Sequence, residues 1–347
     1  LEREGIVTVW PDYDHGVPVW ENILEFGFRG FLDNSETMRS NIESPEEKQV
    51  AFYDAIQITY NAILQFIERL EQQAKSDGNI RLEKALSNIK TNSPQTFYEA
   101  LLVNYLYFML CEHIEGLQVR SLSNFDRIYY KFYKNDIENG VKEEEIRSDL
   151  AYFFLQFTAI GNYWNQPIFL GGCKQDESTQ INELSYIFLD VYDKMCIYNP
   201  KIQIRVADST PMDFTLKALD MIRRGNNSIV FVSDATIRKA LENAGFEPAT
   251  DYLTLKKNCS WAGSFGKTMG DGWLISAEII DALDRGVKSA VVAVPFGCLV
   301  SHTCARGAIN KIRKRHPEAV IHALDFDSGL SKINQYNRIQ MILNFTK

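Results

Sequence analysis

Six cysteines, scattered through a chain of 347 residues, are the side chains best suited to covalent or metal chemistry. They are Cys111, Cys173, Cys196, Cys259, Cys298 and Cys304, and none forms a C-x-x-C pair. In a chain this long, that spacing fits reduced thiols better than a disulfide framework. Two stand out by context: Cys259 in Asn258-Cys259-Ser260-Trp261, and Cys298 at the end of Pro295-Phe296-Gly297-Cys298. Cysteine is also among the most often buried residue types, so a packing role stands beside any chemical one. Cys111-Glu112-His113 has metal-ligand types, but adjacent helical residues point in different directions, and packing is the better reading. Asp12-Tyr13-Asp14-His15 could form an acid–base cluster and reads equally well as a loop before Pro18. Gly263-Ser264-Phe265-Gly266-Lys267-Thr268 lacks both the G-x-x-x-x-G-K-[ST] spacing and a preceding strand, so a phosphate loop is rejected.

The elements that must position these residues are helical first. Ser44-Pro45-Glu46-Glu47 reads as a capping box with proline at the first helical position, and Phe52, Ile56, Tyr60, Ile63, Ile67 and Leu70 continue one apolar face. That helix is expected to stop at Ser76-Asp77-Gly78. Ser93-Pro94 opens a second helix, Glu143 to about Ala159 makes a third, and Glu183 to Cys196 a fourth. The period then changes. Lys201–Val206 alternates as a half-buried strand, Thr210-Pro211 starts a helix ended by Gly225, and Ser228–Ser233 is a second strand. Asp234–Ala244 is expected to be helical. Further on, helix Leu274–Arg285, strand Ser289–Phe296, helix His302–Arg315, strand Ala319–Phe326 and helix Ser331–Asn344 alternate. Two apolar strands joined by a helix imply a parallel, right-handed crossover, which puts Cys298 at the carboxyl end of a strand, where open α/β sheets place ligands.

Composition narrows the classes. With 37 basic and 45 acidic residues the net charge is −8, which argues against a nucleic-acid surface. The basic stretch Lys311–Arg315 reads as a solvated helix face. No apolar run approaches the roughly 20 residues that cross a bilayer, and the start LEREGIVTVW lacks the pattern of a signal peptide. A soluble cytoplasmic protein is expected, with no membrane or nucleic-acid partner.

Several segments carry a resemblance. Ser93-Pro94-Gln95-Thr96-Phe97-Tyr98-Glu99-Ala100-Leu101 is similar to the "P-x-T-F-x-E-A-L" helix start of glycyl radical enzymes. Asn124-Phe125-Asp126-Arg127 with Tyr133–Ile137 resembles their "G-R-x-D … Y-Y-x-x-D-I" segment, and Asn199–Arg205 their "N-P-K-x-x-x-R" strand. Asn165-Gln166-Pro167 with Leu170-Gly171-Gly172 is similar to a stretch of the dehydratase and decarboxylase branches. Gly225, Phe231, Asp234 and Leu241 follow the family's order, and Asp251-Tyr252 precedes Cys259. Residues 1–262 therefore resemble the pyruvate formate-lyase type of glycyl radical enzyme.

That resemblance implies a thiyl role for Cys259. In the family a backbone glycyl radical takes hydrogen from a cysteine, and the thiyl radical then takes hydrogen from substrate carbon inside a closed barrel. The family's "G-C-x-E" is here Asn258-Cys259-Ser260-Trp261, so Trp261 stands where a glutamate base is usual. No "R-V-x-G" radical loop occurs in the sequence; Arg205-Val206-Ala207-Asp208 lacks the glycine.

Residues 263–347 carry a second resemblance. Gly270–Ile275, Pro295–Leu299 with His302, and Asp325–Ile339 are similar to 2-hydroxyacyl-CoA dehydratase activase-related proteins. This implies an iron–sulfur role for Cys298, yet one thiolate does not hold a cluster and CLVSHTC has no recognised cluster spacing.

The resulting expectation is a helix-rich α/β chain: a half glycyl-radical-enzyme barrel over 1–262, then a small parallel βαβα unit over 263–347. Its activity would be a thiyl-radical lyase or dehydratase reaction on a small hydroxylated or amino-bearing substrate. A separate glycyl-radical subunit and an S-adenosylmethionine-dependent activase would supply the radical. No permanently bound cofactor is expected, and self-association is left open. Two other readings stand beside it: a non-catalytic assembly module or recombined remnant, and an iron–sulfur accessory to 2-hydroxyacyl-CoA dehydration.

Overall fold

The computed structural model describes residues 17–115, 119, 121–160, 166–174, 176–233, 242–245, 250, 252–261, 272–295, 298, 301–326 and 332–345. They divide between two units, one within Val17–Lys239 and the other within Ala240–Lys347.

The first unit begins with α1 (Trp20–Ser40), α2 (Glu47–Ser76) and α3 (Ile80–Thr91). Helix α1 is kinked at Gly27, where φ is 64°. A Cβ there would meet the Asn92 carbonyl oxygen and Ser93 Cα, both at 3.0 Å, so glycine supplies the conformation and the close approach together. The buried positions Trp20, Ile23, Leu24, Phe28 and Leu32 keep helical spacing across the kink, so one face stays on the core. Helix α2 starts later than the Ser44–Glu47 reading: Glu46 is the cap, and its N–H donates to Gln49 Oε1 at 2.9 Å. It ends at Ser76, as the sequence indicates.

Helix α4 (Phe97–Leu110) also starts later than Ser93-Pro94. Thr96 caps it, with the Glu99 N–H donating to Thr96 Oγ1 and the Thr96 N–H to Glu99 Oε2, both at 3.2 Å. Phe97, Ala100, Leu101, Val103, Leu106 and Phe108 bury it on more than one face, so α4 is a central helix. Around it lie α5 (Phe125–Ile128), α6 (Tyr130–Glu138) and α7 (Glu143–Ile160). Phe125 stacks on Tyr129 at 4.3 Å, and Phe108 and Phe153 meet Phe157 edge-on at 4.9 Å. Such pairs add about 0.5–1.5 kcal/mol each beyond their buried area.

Against these helices packs a parallel sheet in the order β1 (Ile168–Gly171), β2 (Ile202–Arg205), β3 (Ile229–Val232). Helix α8 (Glu183–Met195) links β1 to β2, and α9 (Met212–Arg223) links β2 to β3. Ile168, Ile202 and Ile229 stand in register, and so do Leu170, Ile204 and Phe231. The sequence shows β2 by alternation and β3 as a short apolar strand, whereas β1 is too short for a period to be visible. The helix expected over Asp234–Ala244 lies largely outside the described residues, since 234–241 are not among them.

One buried carboxylate ties this unit together. Asp126 Oδ2 accepts the Gly171 N–H and the Ser185 hydroxyl, each at 2.7 Å. Asn182 Nδ2 donates to the Asp126 carbonyl at 2.7 Å. Asp126 thus joins α5, the carboxyl end of β1 and the start of α8. At Gly171 φ is +72°, and a Cβ would come within 2.7 Å of Ile181 Cδ1 and 3.0 Å of the Arg205 carbonyl oxygen, so the clamped residue must be glycine.

The second unit contains α10 (Tyr252–Cys259), α11 (Gly272–Asp284), β4 (Ser289–Pro295), α12 (Gly307–Arg315), β5 (Val320–Phe326) and α13 (Lys332–Phe345). Strands β4 and β5 pair in parallel from Ser289↔Val320 to Pro295↔Phe326, as the sequence implies. The helix expected over His302–Arg315 begins as a π-helical segment, Ser301–Arg306. Its basic stretch is exposed but not wholly solvated, for Arg313 Nη2 donates to the Ile321 carbonyl at 2.5 Å. Among the described residues no helix is long and apolar enough to cross a membrane.

Burial pushes the Asp126 carboxyl up to about 6, against the opposing pull of Ser185 and Gly171. Because this pKa is raised in the folded state, the folded form holds the extra proton, and stability falls as pH rises from about 4 to about 6. Relative to Asp126→Asn, the parent is expected to lose up to about 3 kcal/mol across that window and then level off. Asp126→Ala, which strands a buried N–H and hydroxyl, is expected to destabilise by about 2–4 kcal/mol at pH 7. Urea unfolding followed by near-ultraviolet circular dichroism checks both; identical pH slopes in parent and Asp126→Asn would contradict the assignment.

Candidate functional site

Cys259 is the last residue of α10. Leu255 and Cys259 lie four residues apart on one face, 5% and 2% exposed, and both enter the core of the second unit. That core comprises Ala277 and Ile280 of α11, Val292 and Val294 of β4, and Ile309 and Ile312 of α12. Burial raises the Cys259 thiol above the ordinary cysteine value. It therefore keeps its S–H at neutral pH, which suits donation of a hydrogen atom and disfavours thiolate nucleophilicity. Trp261 packs against the same cluster, and the Arg315 guanidinium lies 4.5 Å from the centre of its ring.

Cys298 is half-buried, with its Sγ 3.1 Å from the Ser301 hydroxyl. Its carbonyl accepts the His302 backbone N–H at 3.1 Å and faces His302 Nδ1 at 2.7 Å. His302 Nε2 stands 3.0 Å from Asp325 Oδ1, and Arg306 approaches both Asp325 oxygens at 3.4 Å. The imidazole is thus fixed between a carbonyl and a carboxylate rather than aimed at the thiol. Cys304 is also half-buried. Among the described residues no group of three or more His, Cys, Asp or Glu side chains is placed to hold a metal ion.

Cys111-Glu112-His113 lies on a π-helical turn, where Glu112 Oε1 accepts the Val119 N–H at 2.9 Å. Asp12–His15 and Gly263–Thr268 lie outside the described residues. Arg205, from the "N-P-K-x-x-x-R" stretch, ends β2 with its guanidinium 5.7 Å from the Phe169 ring centre. Arg205-Val206-Ala207-Asp208, the stretch that lacks the radical-loop glycine, runs from β2 into a turn closed by the Thr210 N–H on the Ala207 carbonyl at 2.9 Å.

Sequence reasoning did not anticipate the cleft beside the carboxyl end of β1, a cavity of about 790 Å³ lined in part by Asp126, Arg127, Tyr130, Lys174, Gln180 and Glu183. Tyr130 donates to Glu183 at 2.5 Å, and that bond, with burial, pushes the phenol up to about 12. The available signal was a carboxylate, Asp126, set between apolar residues at Phe125 and Ile128.

A family model described as PFL-like, pyruvate formate lyase-like, matches residues 4–280. The chain belongs to the pyruvate formate lyase-like family. The family match takes in Cys259 and also Gly270–Ile275, a stretch that the sequence reading gave to the second resemblance. Among curated relatives, the glycyl radical subunit of 4-hydroxyphenylacetate decarboxylase from Clostridioides difficile is 26% identical over 195 residues, 51% of this chain and 21% of the relative. Trans-4-hydroxy-L-proline dehydratase from the same organism is 23% identical over 225 residues, 58% of this chain and 28% of that one. (2S)-3-sulfopropanediol dehydratase from Klebsiella oxytoca is 21% identical, covering 68% of this chain and 32% of the relative. The pyruvate formate lyase-like chain thus spans a fifth to a third of these relatives' length. A glycyl radical enzyme from Archaeoglobus fulgidus superposes with TM-score 0.57 at 23% identity, over 67% of this chain and 34% of that one. The glycerol-bound B12-independent glycerol dehydratase from Clostridium butyricum gives 0.58 at 17% identity, over 68% and 33%. These likenesses show a helix-rich α/β fold with parallel strands, shared over about two thirds of this chain with part of glycyl radical enzymes.

Native-state labelling with iodoacetamide, read cysteine by cysteine by mass spectrometry, is expected to modify exposed Cys196 at least about tenfold faster than Cys259. In urea the two rates should converge. Comparable native rates would show that Cys259 is not shielded.

Proposed function

We propose that this chain supplies the hydrogen-carrying cysteine of a thiyl-radical lyase or dehydratase, with Cys259 as that residue. The observation that supports the reading is the burial of Cys259 in an apolar core, 2% exposed with its thiol pKa raised, inside the stretch that the family model matches. A glycyl radical takes the hydrogen atom from the Cys259 thiol, giving glycine and a thiyl radical. The thiyl radical takes a hydrogen atom from substrate carbon, re-forming the S–H bond and leaving a carbon radical. After loss of the leaving group, the product radical takes the hydrogen back. Each transfer at Cys259 moves one hydrogen atom; in a dehydration the leaving hydroxyl departs as water with the proton of the neighbouring substrate hydroxyl, which becomes the carbonyl, and exclusion of water protects the radicals.

The substrate class is a small hydroxylated or amino-bearing molecule, a reading supported by relatives named as dehydratases, lyases and a decarboxylase. Trp261 cannot accept a proton, so any base comes from other residues. The radical itself is supplied by a glycyl-radical partner, charged by an S-adenosylmethionine-dependent iron–sulfur activase. A second reading rests on Cys298, which follows β4 at the carboxyl end of the β4–β5 pair: an iron–sulfur accessory to 2-hydroxyacyl-CoA dehydration.

One anaerobic experiment separates them. The chain, a glycyl-radical partner and the activase are incubated with small diols, hydroxylated amino acids and hydroxyarylacetates. The expected result is turnover that Cys259→Ser lowers by at least about a thousandfold, with Cys298→Ala unaffected. Turnover retained in Cys259→Ser would remove the first reading. An iron–sulfur paramagnetic signal of this chain alone, lost in Cys298→Ala, would favour the second.

A further inference from the structure

The cleft at the carboxyl end of β1 has no part in the radical chemistry, and its charges call for an occupant. It lies where parallel sheets commonly take ligands, beyond a strand end and beside the start of the following helix, here α8. Its volume of about 790 Å³ has room for a small molecule. Asp126 lines the cleft and is wholly buried. Its Oδ2 accepts the Gly171 N–H and the Ser185 hydroxyl, while Oδ1 is buried with no partner among the described residues. A buried carboxylate oxygen without a donor is costly, and a ligand that brings an N–H removes that cost. Glu183 adds a second acceptor: the hydrogen bond from the Tyr130 hydroxyl, with one from its own N–H, holds its carboxyl below the usual range. On the cation side, Arg127 is committed to Glu21 at 2.6 Å. Lys174, exposed on the loop after β1, forms no ion pair among the described residues. Lys174 and Glu183 thus line one cavity with opposite charges that do not neutralise each other.

We propose that this cleft binds a small zwitterion of the α-amino-acid type, its ammonium donating to Asp126 Oδ1 and Glu183 and its carboxylate meeting Lys174. An ammonium group carries three N–H donors, enough for both carboxylates. A simple anion would be repelled by Asp126 and Glu183, and a simple cation would leave Lys174 without a counter-charge. The site belongs to the first unit and depends neither on Cys259 nor on a radical.

Isothermal titration calorimetry of the full chain at pH 7 tests this, with L-alanine, propionate, ethylammonium and glycine betaine as probes. L-Alanine joins the charges of propionate and ethylammonium in one molecule, and glycine betaine has both charges but no N–H. The expected result is one-site binding of L-alanine, at least about tenfold tighter than of any other probe. Lys174→Gln, a change at an exposed side chain, is expected to weaken L-alanine about tenfold, and Lys174→Arg to stay within about threefold of the parent. A pH series reads the part of Asp126. Among the acidic side chains of the cleft, Glu183 is held low, and Tyr130 and Tyr186 are pushed up to about 12 by their bonds to Glu183 and Asp213 and by burial. Asp126, at about 6, is the acid that changes charge between pH 5 and 7. Its ionised form takes the ammonium, so L-alanine is expected to bind about tenfold more weakly at pH 5 than at pH 7. Absence of saturable heat with L-alanine, or equal binding of another probe, would overturn the proposal. So would an affinity unchanged in Lys174→Gln, or equal at the two pH values.

Discussion

The first unit depends on one buried acid. Its sheet has three strands of four residues each, too few ladder bonds to fix their own positions. Asp126 fixes β1 from outside the ladder. By accepting the Gly171 N–H and the Ser185 hydroxyl, it sets where the strand ends and where α8 begins. Those two points determine the path of the crossover to β2, and β2 in turn carries β3. The arrangement tolerates no side chain at Gly171, because Ile181 and the Arg205 carbonyl occupy that space. A polar residue buried for architecture thus accounts for three segments of family resemblance: the Asn124–Arg127 stretch, the Leu170–Gly172 stretch and Arg205.

Cys259 represents the opposite solution. Asp126 is buried with hydrogen-bond donors that partly offset the burial raising its pKa, whereas Cys259 is buried among Leu255, Ala277, Ile280 and other apolar side chains. An apolar setting discourages ionisation and leaves the S–H bond intact. A nucleophile or a metal ligand needs the thiolate, and its site would hold a cation or a base nearby. A hydrogen-atom carrier needs only the bond and protection from solvent. The environment of Cys259 is of this second kind.

Much of the fold was legible where the chain obeys a simple period. Alternation revealed β2, and the apolar runs of β4 and β5, with a helix between them, implied their parallel pairing. Helix α8 and the end of α2 followed from spacing and stop signals. What escaped did so for physical reasons. The kink at Gly27 leaves no mark in the apolar spacing of α1, four-residue β1 showed no period, and two capping boxes began past the prolines that suggested them. At the candidate site the burial of Cys259 was legible from residue type, cysteine being among the most often buried. The Arg315–Trp261 stack was not, because it joins positions 54 apart through a helix end that looks merely basic in sequence.

The central claim is that the Cys259 thiol exchanges a hydrogen atom with a glycyl radical. The most direct measurement is the paramagnetic resonance doublet of an activated glycyl-radical partner mixed with this chain in deuterated water. The doublet comes from the glycyl α-proton, and the thiol hydrogen equilibrates with solvent. If Cys259 relays hydrogen, the doublet collapses to a narrow singlet with the parent chain and persists with Cys259→Ser. A doublet that survives with the parent, or collapses equally with Cys259→Ser, would contradict the account.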